Sequence, residues 1–257
     1  MMYLLLAWLA IPISLMSESP DSSLVGVSTS SPSSDTIQAA DPPLPWVRHS
    51  GDRRQIIQRG NLTATIALDS LADIPHLYAI GPIEGLRGEV TIYDGTPSIA
   101  TVAEGAPHVE ESMDHRAIFL VYGAAADWEA IPIPSSLSGL KAVEAFVRAE
   151  AEAAGLDLSE PFPFRMEGTV DSIDYHIIYK TNRKPHSAEE HQRAKQKYAV
   201  SDTEVQMIGF WADEEGEGVY THPGMRTHLH FRSPDPSTSG HIDDITVREG
   251  ATLYLPR

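Results

Sequence analysis

At 257 residues the chain can form one large domain or two small ones, and its 42% hydrophobic content is enough for a substantial core. Thirty-six acidic against nineteen basic residues give a formal net charge of −17, which argues against nucleic acid or anionic lipid as a partner, since both need a basic footprint. Cysteine is absent, so neither a disulfide framework nor a lipid-anchored N-terminal cysteine is available.

The chain begins with "YLLLAWLAIPISLM" (Tyr3 to Met16), an apolar run too short for a membrane span. It fits the apolar stretch of a secretory signal, with Ser17 and Ser19 near a cleavage point, although no Lys or Arg precedes it. Residues 1–19 are therefore read as a signal. Residues 20–45, rich in Ser, Pro, Asp and Thr, cannot bury enough apolar surface to offset their ordering entropy and read as a disordered linker. A signal followed by a tether implies export to a periplasm or the cell exterior, with no membrane attachment in the mature form. The competing reading is a cytosolic protein with an irregular N-terminus.

The folded part is expected over 46–257. A short helical turn is expected around Ile66 to Leu71, followed by two strands joined at Asp94-Gly95, a pair that favours a hairpin turn. "RAIFLVYG" (Arg116 to Gly123) has the length and apolar continuity of a strand buried on both faces. "SGLKAVEAFVRAEAEAAG" reads as a helix capped by Ser138 and closed by Gly155. Leu140, Val143, Phe146, Val147 and Ala151 form its apolar stripe, and Glu144 pairs with Arg148. A second helix is expected from "SAEE", where Ser187 and Glu190 form a capping box, to about Tyr198. The remaining strands are expected at 164–167, 170–178, 204–211, 226–232, 241–247 and 252–255. The fold class is thus α+β, mostly β, with mixed or antiparallel sheets and one or two packed helices.

"RTHLHFRSPDPSTSGHIDDI" (226–245) carries the chemistry. Residues two apart in a strand share a face, so His228 and His230 present their imidazoles together while Leu229 and Phe231 point into the core. The loop "SPDPSTSG" can return the chain and lay His241 beside the pair on an antiparallel neighbour. Three neutral imidazoles leave a divalent metal its full charge and open positions, as catalysis requires, and they suit zinc best among common divalent transition metals. The plainer alternative is a set of satisfied strand histidines. A cupin-like His-x-His site would want a glutamate four or five residues later, where Pro234 and Asp235 stand.

Over nearly all of its folded part the chain resembles the α-acetolactate decarboxylases. The resemblance is carried by "GPIEGLRGEVTIYDG" (81–95), by "FPFRMEGTVDSIDYHII" (162–178), and by "GFWADEEGEGVYTHPG" with "HLHF" and "GHIDDI". It implies a zinc-dependent carboxy-lyase that converts 2-hydroxy-2-methyl-3-oxobutanoate, a 2-hydroxy-3-keto acid, to acetoin and carbon dioxide, and it implies a homodimer. By motif match the metal ligands are His228, His230 and His241, and Glu89 falls on the family's active-site glutamate. The chain also departs from the pattern. His176 stands where the family has an arginine, Pro82 where it has a threonine, no residue after "LYLPR" matches a second glutamate, and two extra residues precede His228. Arg226, in strand phase with His228 and His230, is a candidate replacement for the arginine. The alternative function is an inactive relative that binds a small hydroxy- or keto-acid. A weaker candidate is a metal-dependent hydrolase or lyase acting on another substrate.

His186 and His191, five residues apart, read as solvated, and His108 and His115 as loop residues. Asp243 shares a face with His241 and is a candidate for orienting a ligand imidazole. "NLT" at Asn61 matches a glycosylation acceptor too common to weigh. No Gly-x-Ser-x-Gly turn or phosphate-cradling glycine loop is present.

Overall fold

A computed structural model describes residues 44–257; the expected signal and nearly all of the expected linker lie outside the described residues. The first half contains β1 (Trp46–Ser50), α1 (Arg53–Arg59), β2 (Ile66–Ala67), β3 (Leu77–Pro82), β4 (Glu89–Tyr93), β5 (Thr96–Ala103), β6 (Ala106–Glu110), β7 (Arg116–Ala117), β8 (Leu120–Ala124), β9 (Trp128–Pro132) and β10 (Leu137–Ser138). The second contains α2 (Leu140–Ala154), β11 (Phe162–Ile178), α3 (Ala188–Ala194), β12 (Lys195–Trp211), β13 (Thr227–Arg232), β14 (Ser239–Val247) and β15 (Thr252–Pro256). The architecture is mostly antiparallel β with three helices among the described residues, one more than expected. None of these helices is long and apolar enough to cross a membrane.

A six-stranded sheet has the order β1-β8-β3-β4-β5-β6. Its central strand β3 is buried on both faces. Leu77 and Ala79 pack with Leu68 and Leu71, while Tyr78 and Ile80 pack with Ile208 and Phe210 of the other sheet. The Asp94-Gly95 hairpin forms as expected, with φ of 48° and 78° at the two turn residues. Of the apolar run 116–123, Ala117 to Val121 and Gly123 are buried while Arg116 is exposed and Tyr122 half-buried, and the run divides into β7 and β8 around Ile118 and Phe119.

The seven-stranded sheet runs β10-β14-β13-β12-β11-β15-β9, with β14 also pairing β11. Strands β11, β12, β13 and β14 therefore form a hydrogen-bonded ring. The expected strands 164–167 and 170–178 are one seventeen-residue strand, and β12 is as long because it starts at Lys195. This early start ends α3 at Ala194 rather than near Tyr198. The pairing of Ile178 with Lys195 joins the segment to sheet hydrogen bonds that a further helical turn would forfeit.

Helix α2 buries Val143, Val147 and Ala151 against the seven-stranded sheet, the face its periodicity specifies. Its N-cap is Gly139 with no side-chain bond, not Ser138, whose hydroxyl lies 3.4 Å from that of Thr246 on β14. Glu144 pairs with Lys141 and Arg148 with Glu152, rather than with each other. At α3 the Ser187 hydroxyl accepts from Glu190 N–H as expected, but the Glu190 carboxylate accepts from Asn182 and Arg193 instead of closing the box.

Candidate metal centre

The ring of strands aims β13 and β14 at β4 of the other sheet. His228 and His230 alternate with Leu229 and Phe231, which are buried in the core of the seven-stranded sheet. His230 is the register partner of His241, so the short return through residues 233–238 sets the third imidazole beside the pair. Gly240 keeps that return tight. A Cβ there would lie 2.7 Å from the Tyr175 ring and 3.0 Å from the His176 carbonyl.

The three side chains converge through their nitrogens. His228 Nε2 is 3.2 Å from His241 Nδ1, and His241 Nδ1 is 3.3 Å from His230 Nε2. Burial holds the His228 imidazole down to about 3 and those of His230 and His241 well below the usual histidine range. All three are therefore neutral at ordinary pH, with ring lone pairs available. Four nitrogens around zinc at its usual bond length stand about 3.3 Å apart along a tetrahedral edge, so His241 is spaced from each of His228 and His230 as neighbouring ligands of a tetrahedral metal are. Imidazole nitrogens suit zinc as a donor set, and the all-histidine triad whose ligand atoms all lie within 4.8 Å of one another is His222, His228 and His241.

A fourth imidazole joins the group. His222 lies with His228 and His241 so that one ligand atom from each falls within 4.8 Å of the others. Its Nε2 is shielded from water and has no hydrogen-bond partner. The Thr221 hydroxyl donates to the Met225 carbonyl, and Met225 N–H donates to the His222 carbonyl, which turns the loop back over the strand pair. Sequence reasoning missed His222 because a histidine in a loop has no period. Its one sequence signal is the Pro-Gly turn that follows it.

Glu89, at the start of β4, is 4% exposed, and its Oε2 lies 4.0 Å from His230 Nε2. Its Oε1 accepts from Ile178 N–H at 3.2 Å and lies 3.8 Å from His176 Nε2. Burial pushes this carboxyl up to about 8, opposed by the Ile178 amide and by Lys195. His176 Nδ1 is 2.9 Å from Asp243 Oδ1, which also lies 3.5 Å from Lys195 Nζ. Burial lowers the His176 pKa against the pull of Asp243. Asp243 thus sits on His176, and one ligand atom from each of His176, His241 and Asp243 lies within 4.8 Å of the others. A hydroxyl does serve His230, since Thr91 Oγ1 is 3.2 Å from its Nδ1.

The structure brings together five of the six expected site residues: Glu89, His176, His228, His230 and His241. Arg226 is not among them. It precedes β13, and its guanidinium is held by Glu214 at 2.9 Å and Glu217 at 3.3 Å while its amide donates to Glu144. Its face is set by those three carboxylates rather than by strand phase. His191 is also corrected. It is 8% exposed, lies 3.3 Å from His186 Nε2 and lines a cavity with His222 and Glu89, where a solvated position was expected. His108 belongs to β6 rather than to a loop.

Two cavities flank the imidazoles, sharing His222, His228 and His241 in their walls. One adds Lys195, Asp243 and Met225; the other adds Glu89, His176 and Arg53 among apolar walls from Ile56, Phe119 and Ile178.

The family profile described as alpha-acetolactate decarboxylase matches residues 57–255. An alpha-acetolactate decarboxylase of Streptococcus thermophilus is 26% identical over 172 residues, covering 66% of this chain and 68% of that protein. Two solved structures share the fold. The alpha-acetolactate decarboxylase of Bacillus subtilis strain 168 superposes with a TM-score of 0.70 at 13% identity, over 82% of this chain and 86% of that one. A Staphylococcus aureus protein of unknown function, described as similar to alpha-acetolactate decarboxylase, gives 0.68 at 16% identity, over 82% and 85%. The chain belongs to the alpha-acetolactate decarboxylase family.

Proposed function

We propose that the chain is a metal-dependent decarboxylase that converts 2-hydroxy-2-methyl-3-oxobutanoate to acetoin and carbon dioxide, with zinc held by His228, His230 and His241. One observation carries the reading: three neutral imidazole nitrogens stand 3.2 and 3.3 Å apart, with a buried carboxyl 4.0 Å from one of them. The bound metal would act as a Lewis acid, drawing negative charge toward the substrate's adjacent hydroxyl and keto oxygens as carbon dioxide leaves.

The side chains do the rest. The carbon–carboxylate bond breaks, its electron pair passes into an enediolate, and one carbon must then take a proton. Glu89 is placed to carry that proton. Its Oε1 is fixed by the Ile178 amide, which leaves Oε2 toward His230 and the cavity. His176 lies between two carboxyls, with Nδ1 2.9 Å from Asp243 Oδ1 and Nε2 3.8 Å from Glu89 Oε1. Apolar walls from Phe119 and Ile178 thin the water around the reacting carbons, which strengthens every charge interaction there.

A second reading is a binding protein for hydroxy- or keto-acids. The neutral, buried His176 favours it, because an arginine there would have carried a permanent charge. The two readings separate when metal content and acetoin release are measured for wild type and His230→Ala. The decarboxylase reading requires metal and acetoin in wild type and loss of both in the variant. Metal in wild type without acetoin selects the binding protein.

A further inference from the structure

We infer that Arg53, from helix α1, binds the carboxylate of the substrate. The inference rests on reading the site as one for a 2-hydroxy-3-oxo acid.

A chain with net charge −17 repels an anion unless a local cation offsets its field. The cavities beside the histidines contain few candidates. The imidazoles of His228, His230 and His241 turn their nitrogens on one another, and Lys195 is already 3.5 Å from the Asp243 carboxylate. Arg226 is occupied by Glu214 and Glu217. Arg53 remains. It lines the same cavity as Glu89, His176, His222, His228 and His241, and its Nε is buried without a hydrogen-bond partner. Among the described residues no carboxylate pairs with its guanidinium, unlike those of Arg193 and Arg248. A buried guanidinium edge with unmade bonds is costly, and a carboxylate that accepts two parallel N–H bonds satisfies it.

The helix that carries Arg53 is held in place for the task. The neighbouring Asp52 carboxylate is engaged in capping Gln55 N–H at 2.8 Å, and Gly60 closes the helix with φ of 62°. Ile56, one turn on from Arg53, is 2% exposed and forms part of the same cavity wall. Arg54, the adjacent arginine, is exposed and points elsewhere, toward Gly218. Because decarboxylation removes the charge that Arg53 would hold, its contribution is read most directly in ground-state binding.

The test is calorimetry on the zinc-loaded full chain with 2-hydroxy-2-methylpropanoate and its neutral amide, neither of which carries the keto group needed for decarboxylation. Wild type should bind the acid at least tenfold more tightly than the amide. Arg53→Gln should keep its zinc, lose most of that preference and bind the amide unchanged; Arg53→Lys should recover part of it, and Arg54→Gln should match wild type. An Arg53→Gln protein with the wild-type preference, a wild type with none, or a preference lost only in Lys195→Gln would overturn the assignment. Arg53-dependent acid binding in a wild type that releases no acetoin would remove the decarboxylase reading and leave Arg53 as the anion site.

Discussion

His230 and His241 are register partners on adjacent antiparallel strands, and their Nε2 and Nδ1 atoms stand 3.3 Å apart. Neither ring is charged, so no ion pair holds them there. The strand ladder does, which makes the site a property of the backbone rather than of side-chain choice. Replacing His241 by alanine should leave the metal-free fold close to wild-type stability while abolishing tight zinc binding. Thermal unfolding with and without zinc checks this: wild type should gain in Tm from the metal, since a ligand that binds only the native state stabilises it. An equal gain in His241→Ala would place the ion elsewhere.

Thr91 tests the support of a ligand. Its hydroxyl lies 3.2 Å from His230 Nδ1 in a fully buried setting and 3.0 Å from the Ser239 hydroxyl. A ligand imidazole whose second nitrogen is hydrogen-bonded holds its orientation, and losing that partner usually costs about 10- to 100-fold in metal affinity. Thr91→Val, nearly isosteric, should weaken zinc by that amount in a competition titration. Unchanged affinity would mean that packing alone orients His230.

Gly240 links packing to the site. Alanine there would place its Cβ 2.7 Å from the Tyr175 ring and 3.0 Å from the His176 carbonyl. One of these neighbours is backbone and cannot swing aside, so β14 must shift. We expect Gly240→Ala to lose about 1–3 kcal/mol in denaturant unfolding, as overpacked cores do, and to weaken zinc binding. A stable variant with wild-type affinity would show that the approach of β14 to β11 is looser than described.

The metal-free protein should lose stability in mild acid, and His191 offers a clean probe. Burial lowers its pKa from the usual 6.5 to about 3. Between those values the unfolded chain takes a proton that the folded chain refuses, so stability falls as pH drops through 6.5 and levels off near 3. Each such histidine contributes about 1.4 kcal/mol per pH unit within the window. In chelator, His191→Asn should flatten the slope of unfolding free energy against pH between pH 6 and 4 by close to one proton. A slope identical to wild type would contradict the buried, neutral His191.

How much of this was legible depends on the kind of signal each residue leaves. His228 and His230 declare themselves by alternation, and the Pro/Ser/Gly return announces His241, because strand geometry has a period of two. The Asp94-Gly95 turn is equally local. His222, His191 and Arg53 leave no such trace. A loop, a half-buried helix face and a short helix bring them to the site, and only tertiary packing decides that. Arg226 shows the opposite failure. Strand phase pointed it at the metal, but it lies one residue before β13, where Glu144, Glu214 and Glu217 capture it. Long-range carboxylates overrode a local period.

The central claim is tested most directly by acetoin formation from 2-hydroxy-2-methyl-3-oxobutanoate by the full chain as isolated, after chelation, and after zinc is restored. The account predicts acetoin as isolated, its loss with chelator, and its return with about one equivalent of zinc per chain. Acetoin production that survives complete removal of the metal, or none from a chain carrying a full equivalent of zinc, would contradict it.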